Sequence, residues 1–214
     1  MTVLITGASR GIGKGLADHY RAAGQAVIGT GRSLNADLQL DVAQPSSHAA
    51  MAEKLAGQPI DLLVCNAGVY LDKGNALDDG YGADLWAQTF AANVTGVFLS
   101  IQALLPNLRL SKAPKIAIIS SQMASSELAP GGSYIYRSSK AAVLNLGRNL
   151  ATDLKPEGIA VGIYHPGWVR TDMGGGAADI TTEEAVAGLV NRFAALELAT
   201  TGCFETWDGR AHPM

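Results

Sequence analysis

Thr6-Gly7-Ala8-Ser9-Arg10-Gly11-Ile12-Gly13 follows a short apolar run, Val3-Leu4-Ile5, and leads into a segment of helical period over residues 11–24. Strand, glycine-rich turn and helix in that order give the G-x-x-x-G-x-G spacing its meaning. Gly7 suits the tight turn, Gly11 lets backbone approach a pyrophosphate, and Gly13 lets the helix lie close to the strand. Ser9, Arg10 and Ile12 complete the loop around the phosphates, and the helix amino end offers unpaired N–H groups and a partial positive charge. A turn of this composition that binds nothing is the competing reading, and the strand–turn–helix context weighs against it.

Outward from this turn, short apolar runs alternate with longer segments of helical period, the pattern of a parallel sheet covered by helices on both faces. Strands are predicted at Val3–Thr6, Ala26–Thr30, Ile60–Cys65, Lys115–Ser120, Ala160–Tyr164 and Cys203–Thr206, with a short one at 38–41. Helices are predicted over 11–24, 46–56, 84–109, 135–154 and 182–198. No linker and no internal repeat interrupts this order, so residues 1–214 are read as one doubly wound α/β domain of about seven strands, a Rossmann fold.

Composition narrows the function classes. With 48% hydrophobic and 16% charged residues, the 214-residue chain is expected to bury a substantial core rather than remain disordered. Cys65 and Cys203 cannot form a disulfide framework, and His19, His48, His165 and His212 stand singly, so no metal site is expected. The start MTVLITG has no signal-peptide pattern and no later run reads as a membrane span, which leads us to expect a cytoplasmic protein with no membrane partner. A net charge of −3 spread along the chain gives no field for nucleic acid.

Two further signals concern a ligand. At the end of the second strand, in Gly29-Thr30-Gly31-Arg32-Ser33, a guanidinium stands where a carboxylate would accept from a ribose 2'-hydroxyl. Arg32, with Arg10 beside it, therefore favours NADP(H) over NAD(H); a solvated surface arginine is the alternative. Asp41 is placed either to accept from an adenine amino group or to cap a helix. Further along, Tyr136 and Lys140 lie four residues apart at the start of a helical segment, hence on one face. A phenol is a poor acid or base near neutrality, and a nearby ammonium would lower its pKa, although a plain surface pair has the same spacing.

Taken in order, Thr6 to Gly13, Cys65-Asn66-Ala67-Gly68, Asn93, Ser120-Ser121, Tyr136-Arg137-Ser138-Ser139-Lys140 and Pro166-Gly167-Trp168-Val169-Arg170-Thr171 resemble the short-chain dehydrogenase/reductase family from Thr2 to the end of the chain. Tyr134 to Ala142 is similar to its small carbonyl-reductase branch, which includes C-factor and sniffer-like proteins. The resemblance implies hydride transfer between NADP(H) and a small carbonyl or alcohol. Tyr136 would be the general acid or base, Lys140 would lower its pKa and hold the nicotinamide ribose, and Ser121 would donate to the substrate oxygen. Asn93 would hold a water that links Lys140 to solvent. Asn66, Ala67 and Gly68 would lie against the adenosine ribose, and Pro166, Gly167, Val169 and Thr171 would clasp the nicotinamide. A family dimer interface built from the helices over 88–108 and 136–154 implies a homodimer or homotetramer.

Several departures qualify this picture. Cys65 replaces a usual asparagine and reads as inert packing. Ser121 lies fifteen residues before Tyr136, which leaves Ser120 and Ser125 as competitors. The glycine-rich stretch after Thr171 is shorter than the family's helical lid and is expected to act as a flap over 172–182. Gln122, Met123, Tyr134, Trp168 and Met173 are expected to line the pocket, and His165 to be structural. The rival function is an NADP(H)-binding sensor or signalling protein with little turnover.

Overall fold

The computed structural model describes residues 1–214. Seven parallel strands form one sheet in the order β3-β2-β1-β4-β5-β6-β7, with β1 at Thr2–Ile5, β2 at Ala26–Gly31, β3 at Leu38–Gln39, β4 at Leu62–Cys65, β5 at Lys115–Ile119, β6 at Ala160–His165 and β7 at Phe204–Thr206. The helices are α1 (Gly11–Ala22), α2 (Pro45–Lys54), α3 (Ala83–Phe90), α4 (Gly96–Leu108), α5 (Tyr134–Leu154) and α6 (Thr182–Ala195). This is the single-domain Rossmann-type fold that the alternation of patterns predicts.

Strand side chains alternate between two cores. On β1, Leu4 enters the larger cluster with Ile101, Leu104 and Val143, while Val3 and Ile5 enter the other with Leu16 and Phe193. On β5, Ile116 and Ile118 take the first face and Ala117 and Ile119 the second. Period-two alternation thus buries both faces, α2, α4 and α5 covering one and α1 and α6 the other. Strand order reverses between β1 and β4, and the loops leaving these two strands open the crevice where ligands of such sheets sit.

Three features add to the predicted elements. The expected helix over 84–109 contains a π-helical turn at Ala91–Thr95, so α3 and α4 are two halves of a run over Ala83–Leu108. That 26-residue run has a mean hydropathy of 1.3 in its most apolar window, enough by length and composition for a membrane span, contrary to the expectation that no segment reaches that measure. Here one side of it, Val97, Ile101, Leu104 and Leu108, packs into the core against the sheet. Between β4 and α3, residues 66–82 form no regular element, and a connection of this length in a compact domain commonly carries function. At the sheet margin, Arg210–His212 close the outer edge of β7: Thr206 N donates to the Arg210 carbonyl, His212 N to the Phe204 carbonyl, and Ala211 bridges Glu205.

Candidate active site

The turn after β1 is built by close approach. Gly7 has φ +71, a left-handed conformation, and a Cβ on it would stand 2.9 Å from the Ala67 Cα. A Cβ on Gly13 would collide with the Gly7 carbonyl and the Asn66 amide, so only glycine lets α1 start this near the strand. Asn66 donates from Nδ2 to the Thr6 and Gly7 carbonyls, both at 3.0 Å, and Asn66 N and Ala67 N donate to the Thr6 hydroxyl. Both amide hydrogens of Asn66 are therefore engaged in stapling the β4 loop to the glycine-rich turn.

Nothing of the protein caps α1. Arg10 stands at its N-cap without a side-chain cap bond, and no acidic residue lies in the first turn. The Cα of Gly11 faces Thr171, whose methyl would be 3.4 Å from an added Cβ. Unpaired N–H groups and an uncompensated dipole beside a glycine surface fit the pyrophosphate of a dinucleotide. Ser9 packs on the other side, 3.7 Å from where a Gly31 Cβ would be. Arg32 is exposed and forms no ion pair, whereas Arg10 reaches Asp172 at 3.0 Å. Asp37, on the same sheet edge, is tied to Gly29 N and to Arg21. Asp41 accepts from Ala43 N at 3.0 Å, which engages one carboxylate oxygen in a local turn.

Beside this turn lies a cavity of about 310 Å³ whose walls include Ile12, Ser121, Gln122, Met123, Tyr136, Pro166, Gly167, Trp168, Val169, Thr171 and Met173. A larger, open groove of about 420 Å³ between α6 and Trp207–Asp208 holds none of these residues. Tyr134, expected in the pocket wall, is absent from it: being two residues from Tyr136 it projects elsewhere on the helix and meets Tyr81 edge-on. Tyr70 and Lys73 enter the lining instead, and the Tyr70 ring stacks on Tyr136 with centroids 4.2 Å apart.

Tyr136 and Lys140 are both buried. Lys140 Nζ donates to the Ile119 carbonyl at 3.0 Å and lies 5.6 Å from the centre of the Tyr136 ring. Burial drops the Lys140 pKa to about 8. Burial also pushes Tyr136 well above the ordinary phenol value; a hydrogen bond with Ser121 opposes the rise, and Tyr70 and Asp72 add to it. The sequence argument that Lys140 would lower the phenol's pKa is thus overridden here by desolvation. The competitors of Ser121 are engaged elsewhere, Ser120 with the Lys140 carbonyl and Ser125 with the Met214 carbonyl.

Asn93 sits in the π-helical turn, where its amide donates to the Val69 carbonyl and to Ser139 and accepts from Val69 N at 2.8 Å. It clips the β4 loop to α5. Gly68 lies between this clip and the ammonium: a Cβ there would be 3.1 Å from Asn93 Oδ1 and 3.5 Å from Lys140 Nζ.

The expected flap is a hydrogen-bonded turn. Gly174 N donates to the Thr171 hydroxyl, Gly175 N to the Thr171 carbonyl, and Trp168 Nε1 to the Gly174 carbonyl. Val169 pairs with Ile180, and Lys73 Nζ reaches the Met173 carbonyl across the cavity mouth. His165 also lines the cavity; burial and the neighbouring His212 lower its pKa to about 4, and its Nδ1 has no partner. Cys65 is buried with its thiol pushed up to about 12, consistent with packing.

Sequence reasoning missed Asp72. It is fully buried and accepts from Ile135 N at 2.9 Å and from Tyr136 N at 3.2 and 3.3 Å. No periodicity marks it, and the only signal was an isolated acid in the Leu71-Asp72 pair after Asn66-Ala67-Gly68.

Comparison with known proteins gives a consistent result. The short chain dehydrogenase family model matches residues 1–184. The chain is 38% identical over 165 residues to C-signal of Myxococcus xanthus, covering 77% of this chain and 98% of that protein. It superposes on NADPH-bound carbonyl reductase from chicken fatty liver with a TM-score of 0.89 and 29% identity, covering 100% of this chain and 98% of the other. A short-chain dehydrogenase/reductase from Burkholderia multivorans with bound NADP gives 0.88 and 27%, covering 100% and 99%.

Proposed function

The chain belongs to the short-chain dehydrogenase family and is an NAD(P)-dependent oxidoreductase of it, and on that premise we propose that it interconverts carbonyl compounds and alcohols with NADP(H). The observation that carries this reading is the convergence of Ser121 and Tyr136 on one cavity whose wall continues into Ile12 of the uncapped α1 turn, with Lys140 behind the phenol. The nicotinamide supplies or accepts the hydride when bound.

The chain's own residues do the rest. The amides of Gly11 to Gly13 bind the pyrophosphate, Ser9 and Gly31 flank the adenosine side, and Arg32 takes the 2'-phosphate. Asp37 bears on the choice of cofactor: a carboxylate near that ribose would repel a 2'-phosphate, and this one is already bonded to Gly29 N and Arg21. Pro166, Gly167, Val169 and Thr171 hold the nicotinamide end. Ser121 donates to the substrate carbonyl oxygen and stabilises the charge that develops there. Tyr136, held protonated by its buried setting, transfers its proton to that oxygen during reduction, and Lys140 compensates the resulting phenolate. Gln122, Met123, Trp168 and Met173 shape the space for the substrate body. We assign residues 172–182 the part of a short cover over this space. The outward side of α4, with Phe98 38% exposed, is the surface for a homodimer or homotetramer, which light scattering of the purified protein would reveal.

NADPH and NADH consumption over a panel of aldehydes, ketones, quinones and pteridines tests the reading. Tyr136→Phe is expected to lower reduction by about a thousandfold while NADPH still binds; equal activity would sink the mechanism. Arg32→Asp is expected to move the cofactor ratio toward NADH by about tenfold, and an unchanged ratio would make Arg32 a surface charge. The identity to C-signal favours the competing signalling reading. That reading wins if NADPH binds and no compound of the panel oxidises it.

A further inference from the structure

We propose that Asp72 is the positioning residue for Tyr136: its buried carboxylate caps α5 from the β4–α3 loop and keeps the phenol in its proton-donating form. The inference rests on the reading of Tyr136 as proton donor.

Helix α5 has an N-cap residue of the preferred type, Ser133, which does not cap it. Ser133 is the sole non-glycine residue of the chain with positive φ, at +47, and its hydroxyl is hydrogen-bonded to the Tyr70 hydroxyl. Two buried N–H groups, those of Ile135 and Tyr136, would be left without an acceptor, at a cost well above that of a solvated helix end. Asp72, more than sixty residues earlier, accepts both. It has no cationic partner among the ion pairs, so the helix amino end is what stabilises its charge.

The carboxylate therefore acts on Tyr136 in two ways. It fixes the backbone N–H of the residue that carries the phenol, and Tyr70, two residues before it, stacks on the ring from the same loop. It also places a fixed negative charge close to a group whose ionisation would add a second one. The groups facing the phenol are Tyr70, Asp72, the Ser121 hydroxyl and the Lys140 ammonium, with neutral His165 and exposed Lys73 elsewhere in the cavity wall. Of the two that disfavour the phenolate, Asp72 is the one fixed to the backbone N–H of Tyr136 itself.

Asp72→Asn removes the charge and keeps one acceptor oxygen; Asp72→Ser is a smaller neutral cap that serves if the amide variant does not fold. Each is compared with the wild type for kcat, KM and NADPH dissociation constant, using the best-reduced carbonyl compound of the panel, from about pH 6 to pH 12 so that the range reaches the raised phenol. We expect NADPH affinity within about twofold of wild type, a fall in kcat of about tenfold, and an alkaline limb of the reduction profile about one unit lower, because the phenolate is no longer repelled. The ratio of oxidation to reduction at neutral pH rises with it. A variant with lowered thermal stability but unchanged kcat and an unmoved pH profile would make Asp72 a structural cap and overturn the proposal. Failure of the underlying reading shows separately, as an active Tyr136→Phe.

Discussion

At the amino end of α1 no side chain accepts the first N–H groups, whereas at the amino end of α5 a remote buried carboxylate accepts two of them. A third helix, α6, shows the ordinary local solution, a capping box in which Thr181 accepts from Glu184 N and Glu184 accepts from Thr181 N. The three ends have the same intrinsic dipole and the same surplus of donors. What separates them is who supplies the acceptor: on the proposed function an exchangeable ligand at α1, and in the structure a distant part of the fold at α5 and the helix's own first turn at α6. An open end suits a group that must come and go. A closed end suits a side chain that must stay still.

Substitutions that exchange these roles test the contrast, and Asp72→Ala should show the largest effect. It strands two buried N–H groups and is expected to lower unfolding free energy by about 3 kcal/mol in urea titrations. A loss below about 1 kcal/mol would mean that water replaces the carboxylate easily.

Next comes His165, a buried residue whose Nδ1 has no hydrogen-bond partner. Its folded pKa of about 4 lies below the ordinary 6.5, so the unfolded chain takes up the proton first as pH falls. Stability should therefore decline between those two values, by about 2 kcal/mol from neutrality to about pH 4.5. The decline should shrink in His165→Leu, and equal pH slopes in the two proteins would refute this. Arg10→Asp converts α1 into a capped helix. It should raise stability by about 1 kcal/mol and weaken NADPH binding by about tenfold or more, since a resident carboxylate both occupies the amides and repels the phosphates. Affinity unchanged by that substitution would remove α1 from the phosphate site. Thr181→Ala should cost about 1 kcal/mol of stability and leave NADPH affinity and turnover alone.

The same contrast explains which parts of the molecule were legible in the sequence. The glycine-rich turn could be read because its requirements are local: a strand, a positive φ at Gly7 and a close contact of Gly13 with the Gly7 carbonyl all lie within twelve residues. Tyr136 and Lys140 were legible through helical spacing, and β1 and β5 as short apolar runs. Asp72 was not, because its partners lie on another element more than sixty residues away. Asn66 and Asn93 were picked out through the family resemblance, yet their bonds run to Thr6, Gly7, Val69 and Ser139. Only the fold shows that both fasten one loop. The π-helical turn likewise leaves no periodic trace, since one widened turn shifts a helical pattern by a single residue.

The closure of β7 by Arg210–His212 bears on how copies of this protein meet. A terminal strand with unanswered donors and acceptors is a template on which a neighbour's strand can add, and repeated addition leads to fibres. Here the chain occupies that margin itself with Ala211 antiparallel to Glu205, so a second molecule could extend the sheet on this side only by first peeling the segment away. The β7 margin of the sheet is thereby closed to strand addition.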